Sequence, residues 1–160
     1  MDNVHSARLE WDGFKELAPD ANAALLSLSY TAANQGLDKA MLELVKLRVS
    51  QINACAFCVA FHVNAATRLG VAAGKLHTVA AWHGTPGFDE RERAALAWAE
   101  ALTHIANGVS DAVYAQAKAV FSDRELALLT STIMAINAWN RLGVAYQFTP
   151  SAIANSAAAS

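Results

Sequence analysis

The sequence predicts an all-α protein: a compact, single-domain bundle of six or seven helices with a Cys-x-x-Cys pair at a helix N-terminus. Three observations carry that expectation. Ala, Leu, Glu, Lys, Arg and Gln are plentiful, and no stretch sustains the period-two alternation of a strand. Only three prolines occur, Pro19, Pro86 and Pro150, each where an element can begin or end. The 160 residues make the length of one domain, and 54% hydrophobic residues against 16% charged supply a sizeable core.

The helices read in order as follows. The first clear one runs from about Pro19 to Asn34, with Pro19 tolerated in the first turn and Gly36 just past the end. Asp38 is the expected N-cap of the next, which passes through Leu42, Val45, Leu47 and Val49 and ends near Asn53. A third begins around Cys55 and carries Val59, Val63, Ala66 and Leu69 to a cap at Gly70. A short helix follows from about Ala72 to Trp82, and His83-Gly84-Thr85-Pro86-Gly87 is the strongest loop signal in the chain. Asp89 and Glu92 form a capping-box pattern ahead of a helix that reads to about Ala106. Ser110 caps another to about Phe121, and Ser122-Asp123-Arg124-Glu125 opens the last long helix, to about Tyr146. Residues 1–160 are thus expected as one domain, with a core over about 10–148 and a flexible Ala- and Ser-rich tail over 149–160.

Composition narrows the function classes. Twelve Lys+Arg against fourteen Asp+Glu give a net charge of −2, which offers no electrostatic footprint for nucleic acid or an anionic membrane. Two cysteines exclude a disulfide scaffold. The N-terminus lacks the apolar core of a signal peptide, and no apolar run approaches the roughly 18–20 residues of a membrane span. The chain therefore reads as cytoplasmic, where a close cysteine pair is more often catalytic, redox-active or metal-binding than structural. So little charge also makes it hard to cover the surface, so a homo-oligomer is expected over an Ala-rich monomer.

The chemistry concentrates in one segment. Cys55, Cys58 and His62 are spaced by three and four, so on a helix they can share one stripe. A thiol at a helix N-terminus feels the unsatisfied N–H groups and the dipole, which favour the thiolate. His62, one turn from Cys58, can take or return its proton. A spacing of three also brings the Cα atoms within reach of a disulfide, so Cys58 can attack and Cys55 can close on it. Glu43, on the preceding helix, can return to this face if the two helices form a hairpin, and there orient His62.

Blander readings stand beside these. Small cysteines are common in cores, a single His is more often a hydrogen-bonded structural residue, and a single Glu is more often solvated. Zinc held by Cys55, Cys58, His62 and Glu43 is the specific rival, although zinc sites usually place Cys-x-x-Cys on a turn. His5 falls in a frayed end, and His77, His83 and His104 have no partner at ligand spacing. Trp82, Trp98 and Trp139 read as core or subunit packing ahead of a substrate wall; whether Phe57, Phe61 and Trp82 line a pocket is open at this level.

The pattern Glu-x11-Cys-x2-Cys-x3-His, met by Glu43, Cys55, Cys58 and His62 without a gap, resembles the alkylhydroperoxidase D (AhpD-like) branch of the carboxymuconolactone decarboxylase family. The flanks are similar too: Arg48-Val49-Ser50-Gln51-Ile52-Asn53 before the cysteines, then Ala80-Ala81-Trp82, Thr85-Pro86 and Glu90 to Trp98. The resemblance covers about residues 10 to 148. It implies an all-helical fold assembled as trimers or hexamers and a thiol-dependent peroxidase that needs no metal, flavin or haem. It implies that Cys58 is the peroxidatic nucleophile, that Cys55 resolves it, and that His62 and Glu43 relay protons. The implied partners are a hydroperoxide substrate and an external dithiol reductant. One position departs: the branch has a histidine directly before the second cysteine, where this chain has Phe57. The decarboxylase branch lacks the cysteine pair, which argues against decarboxylation. Two other readings use the same residues, a redox switch controlling a partner interface and an acid/base enzyme acting through His62 and Glu43.

Overall fold

The computed structural model describes residues 6–152. Within them the chain forms α1 (Trp11–Leu17), α2 (Pro19–Asn34), α3 (Lys39–Ile52), α4 (Ala56–Arg68), α5 (Ala73–Thr78), α6 (Glu90–Thr103), α7 (Asp111–Val120) and α8 (Asp123–Tyr146). Two 3-10 stretches, Val79–Gly84 and Ile105–Asn107, complete the described secondary structure, which contains no strand. The all-α expectation holds. None of the helices among the described residues is long and apolar enough to cross a membrane.

The capping residues read from the sequence start their helices. Asp38 accepts a hydrogen bond from the Met41 backbone N–H at 2.7 Å. Asp89 and Glu92, and Ser122 and Glu125, each form a complete capping box. α3 is buried nearly all round, through Met41, Leu42, Leu44, Val45, Leu47 and Val49, so it is the central helix. It packs on α4, α6 and α8, and α8 in turn packs on α2 and α4. A continuous core joins these helices through Leu96, Leu129, Ile133 and Ile136.

Three local features differ from expectation. α1 is an eighth α-helix: its sequence carries Gly13 and its N-cap Glu10 makes no side-chain cap bond, so it lacks the local signals of a helix. Its place is fixed instead by tertiary contact, Trp11 Nε1 donating to Asn22 Oδ1 at 3.0 Å. The helix expected over Ala72–Trp82 is α5 followed by 3-10 backbone, with Ala81 at φ −117° marking the break. Arg93 holds that tight turn by donating to the carbonyls of Phe88, Trp82, His83 and Thr85. α6 stops at Thr103, three residues early, and Ile105–Asn107 continues as 3-10 up to Gly108, whose φ of +74° ends the segment.

At the C-terminal end, Thr149 N–H donates to Glu10 Oε2 at 3.2 Å and Asn64 Nδ2 donates to the Ala152 carbonyl at 3.0 Å. The rest of the expected tail, residues 153–160, and His5 lie outside the described residues.

α8 passes so close to the cysteine pair that only glycine fits. A Cβ on Gly143 would lie 2.6 Å from Cys55 Sγ and 3.3 Å from Cys58 Sγ. Gly143→Ala is therefore expected to destabilise the protein by about 1–3 kcal/mol, as overpacking does. Urea unfolding of the single variant and of Gly143→Ala in a Cys55→Ala background checks this. The cost should shrink once the sulfur is gone, and an equal cost in both backgrounds would place the strain elsewhere.

Candidate active site

The site is built at the junction of α3 and α4, where only Asn53, Ala54 and Cys55 separate the helices. Ala54 sits at φ +53°, a left-handed conformation that costs a non-glycine residue about 1 kcal/mol. Polar contacts from α8 hold the turn. Asn53 Nδ2 donates to Asn137 Oδ1 at 3.0 Å and to Asn140 Oδ1 at 2.9 Å. Asn140 Nδ2 donates to Ser50 Oγ at 3.1 Å, and Ser50 Oγ donates to the Lys46 carbonyl at 2.7 Å. The Ser50 carbonyl accepts from the Cys55 N–H at 3.0 Å. Asn140, 1% exposed, is thus used on both sides of its amide.

That turn makes Cys55 the N-cap of α4. Its backbone is extended, and its Sγ accepts from the Cys58 N–H at 3.3 Å. The two sulfurs are bonded as a disulfide, with Cα atoms 5.3 Å apart. Cys58 sits in the first turn of the helix, where backbone N–H groups favour negative charge. The single stripe expected for Cys55, Cys58 and His62 is divided by this geometry. Cys58 and His62 both face a cavity of about 250 Å³. Cys55, as the cap, turns inward against Gly143 of α8 and does not line that cavity.

The hairpin returns Glu43 to the same place. Glu43 Oε2 lies 2.7 Å from His62 Nδ1, and Glu43 Oε1 accepts from Lys46 Nζ at 2.8 Å. All three side chains are largely buried. Burial alone would push the Glu43 carboxyl up, but the hydrogen bond and charge of His62 and the Lys46 ammonium together hold it below its ordinary 4.5. Burial is the largest effect on His62 and lowers it, Glu43 pulls it back up, and the Lys46 charge lowers it further; the net lies below 6.5. The arrangement fits an ionised Glu43 accepting Nδ1–H from a neutral imidazole, which leaves Nε2 as a proton acceptor.

Lys46 is a functional candidate that the cysteine motif does not announce. Its position three residues after Glu43 on one helix is the available signal. The cavity walls are likewise beyond what the motif shows. They are aromatic: Trp11 from α1, Phe57 and Phe61 from α4, Trp139 from α8, and Phe148 beyond it. Phe57 is the hub, 6.2 Å from Trp11, 6.4 Å from Phe61 and 5.4 Å from Phe148 between ring centroids. Trp139, expected to pack, is a wall; its Nε1 donates to Ser29 Oγ at 2.9 Å. Trp82 is buried elsewhere, donating to Glu100 Oε1 at 2.9 Å while Arg48 Nε donates to the same oxygen at 2.6 Å. His83 stacks on Trp82, away from the cavity. As for zinc, no group of three or more His, Cys, Asp or Glu side chains among the described residues is placed to hold a metal ion.

Buried His62 and Glu43 make the stability of the fold depend on pH. His62 is lowered on folding, so its contribution is present above pH 6.5 and is lost as pH falls through its folded value. Glu43 is also lowered, so its contribution is present above pH 4.5 and is lost below. Unfolding free energy should fall steadily from pH 7 to pH 4. In His62→Gln, which keeps a donor without a titrating ring, the slope between pH 6.5 and 5 should flatten. Denaturant titrations across that range check it, and a wild-type protein that gains stability on acidification would contradict a buried neutral imidazole.

Known proteins are similar to this chain in sequence and fold. The model of the carboxymuconolactone decarboxylase family matches residues 19–101, which include all four motif positions. An uncharacterised Bacillus subtilis protein, YdfG, is 29% identical over 133 residues, covering 82% of this chain and 90% of its own. The crystal structure of an Agrobacterium tumefaciens protein of unknown function, named as a candidate AhpD antioxidant defence protein, is 34% identical with a TM-score of 0.86, over 92% of this chain and 99% of that one. The debrominase Bmp8 shares the fold, with a TM-score of 0.78 at 19% identity over 86% of this chain and 75% of its own. By the family match and by its likeness to the Agrobacterium protein, the chain belongs to the carboxymuconolactone decarboxylase family.

Proposed function

We propose that the protein is a thiol-dependent peroxidase of the AhpD-like type. The observation that carries this reading is the convergence, on one apolar cavity, of Cys58 in the first turn of α4 with a His62–Glu43 hydrogen bond. The Agrobacterium relative's naming as a candidate AhpD protein supports it. In the reduced enzyme His62 Nε2 takes the Cys58 thiol proton. The thiolate attacks the terminal oxygen of a hydroperoxide, the S–O bond forms as the O–O bond breaks, and the departing alkoxide takes the proton from the imidazolium. Cys55 then displaces water from the Cys58 sulfenic acid and closes the disulfide. Two thiols and ROOH give ROH, water and one disulfide. Glu43 stabilises the transient imidazolium, and Lys46 joins His62 in favouring the ionised Glu43.

An external dithiol restores the pair by exchange. Its point of attack is Cys58, the sulfur on the cavity side. Ile105 and Met134, both more than half exposed, join the low charge in supporting assembly with further copies of the chain.

A second reading takes its support from the aromatic walls and the fold shared with Bmp8, a variant of which has been crystallised in complex with 2,3,4-tribromopyrrole. The same dithiol holds the two electrons needed to turn an aryl bromide into the arene and bromide, with one proton delivered to carbon and one released.

The test is a thiol count. The reduced protein receives one equivalent of cumene hydroperoxide, is quenched within seconds and is titrated. Both thiols should disappear far faster than free cysteine does. Cys58→Ser should abolish the reaction, Cys55→Ser should stop at a trappable sulfenic acid, and His62→Gln should slow it by about a hundredfold or more. Unchanged hydroperoxide turnover in Cys58→Ser would sink the peroxidase reading. Bromide release from a brominated pyrrole would favour the second, and slow disulfide formation without turnover would favour a redox switch.

A further inference from the structure

The cavity has a charge imbalance that the peroxidase chemistry does not use. Its ionisable lining groups, apart from the cysteine, are Tyr30, Glu43, Lys46, His62 and Arg68. Glu43 and Lys46 neutralise each other, and His62 is held neutral. That leaves Arg68, whose guanidinium has no hydrogen-bond or ion-pair partner among the described residues. Arg68 is exposed at the last turn of α4, and Tyr30 of α2, 51% exposed, also lines the cavity.

The spacing along α4 turns this imbalance into a ruler. Cys58, Phe61, Ala65 and Arg68 follow one another by three, four and three residues, so they form one stripe of the helix, and all four line the cavity. Ten residues of helix separate the reacting sulfur from the cation by roughly 15 Å along the axis. On α4 the two residues between them on that stripe, Phe61 and Ala65, are apolar, and Leu26, Trp139 and Phe148 add further apolar lining to the cavity. A guanidinium with no protein partner at the end of an apolar track is suited to a planar anion, which it binds in a bidentate fork, and a phenol hydroxyl can add a third donor.

We propose that the cavity selects amphipathic hydroperoxides that carry a carboxylate, the peroxide lying at Cys58 and the carboxylate on Arg68 and Tyr30. Hydroperoxides of long-chain fatty acids have this shape. The inference rests on the peroxidase reading for its reactive end, but the anion site at Arg68 stands on the charge and spacing alone. It makes Arg68 a specificity-determining residue for the free acid over the neutral ester.

The experiment compares linoleic acid hydroperoxide with its methyl ester in wild-type protein, Arg68→Gln and Arg68→Lys. Wild type should prefer the acid in kcat/KM, and the acid-to-ester ratio should fall about tenfold in Arg68→Gln. Arg68→Lys, which keeps the charge and loses the fork, should retain part of the preference. The preference should also weaken with added salt, because Arg68 is exposed. No preference in wild type, or an unchanged ratio in Arg68→Gln, overturns the proposal. If wild type reduces neither hydroperoxide, the peroxidase reading fails on its own. Quenching of Trp11 and Trp139 fluorescence by unoxidised linoleic acid and its methyl ester then decides the anion site. Tighter binding of the acid that is lost in Arg68→Gln upholds the site, and equal binding of acid and ester removes it.

Discussion

Cys55 reaches its place only because the chain turns from α3 into α4 within three residues. The turn requires a left-handed Ala54, which is unfavourable, and the Ser50, Asn53, Asn137 and Asn140 hydrogen bonds offset it. The rest of the site follows from that reversal. It lays α4 back along α3, so that Glu43 meets His62 across nineteen residues of sequence. It also leaves the Cys58 N–H, in the first turn of α4, donating to a cysteine sulfur instead of a Ser, Asp or Asn oxygen, the usual cap. α8 completes the arrangement twice over, with its asparagines bonded to the turn and with the bare backbone of Gly143 against the sulfurs.

Charge is arranged around the same hairpin. A carboxylate placed alone in this interior would gain a proton, because burial disfavours its charged form. His62 and, one turn along α3, Lys46 together oppose that, each bonded to a different oxygen of the carboxylate. The two ions are costly to bury as a pair, and such pairs contribute little net stability. Their effect is on protonation. Burial first, and the same Lys46 charge after it, oppose protonation of His62, while Glu43 favours it. The net effect favours the neutral imidazole, which leaves Nε2 able to accept a proton.

Most of this fold is legible in the sequence because its signals are local. Asp38, Asp89, Ser110 and Ser122 announce helices through side chains that reach only three residues ahead. The cysteine pair and His62 are legible for the same reason, whereas periodicity alone does not select Glu43, which meets His62 only once the hairpin forms. What local patterns do not show depends on partners far apart in sequence. α1 has no strong cap and owes its place to Trp11 against Asn22 and the Trp139 ring. The cavity draws walls from α1, α2, α4 and α8 and from Phe148, so no single helix reveals it. Trp139 has the spacing of a core residue and is one on its inner side; only the assembled bundle shows that its ring also faces open space. Cys55 leaves the expected stripe because a cap residue does not have helical backbone angles, and periodicity holds only inside the helix.

Phe57 gives the substitution before the second cysteine a physical meaning. A histidine there would bring a second proton carrier and polar surface to the sulfur. A phenylalanine brings neither, and instead joins Trp11, Phe61 and Phe148 in one aromatic cluster. In the proposed peroxidase this shifts the burden of activation onto the α4 N-terminus and His62 alone. It also changes what the site rewards. Hydrogen peroxide gains nothing from apolar walls and must shed its water to enter, whereas an organic hydroperoxide buries hydrocarbon at about 25 cal/mol per Å² as it approaches Cys58. Polar activation is exchanged for apolar recognition, so discrimination between hydroperoxides should come from the part of the molecule that does not react.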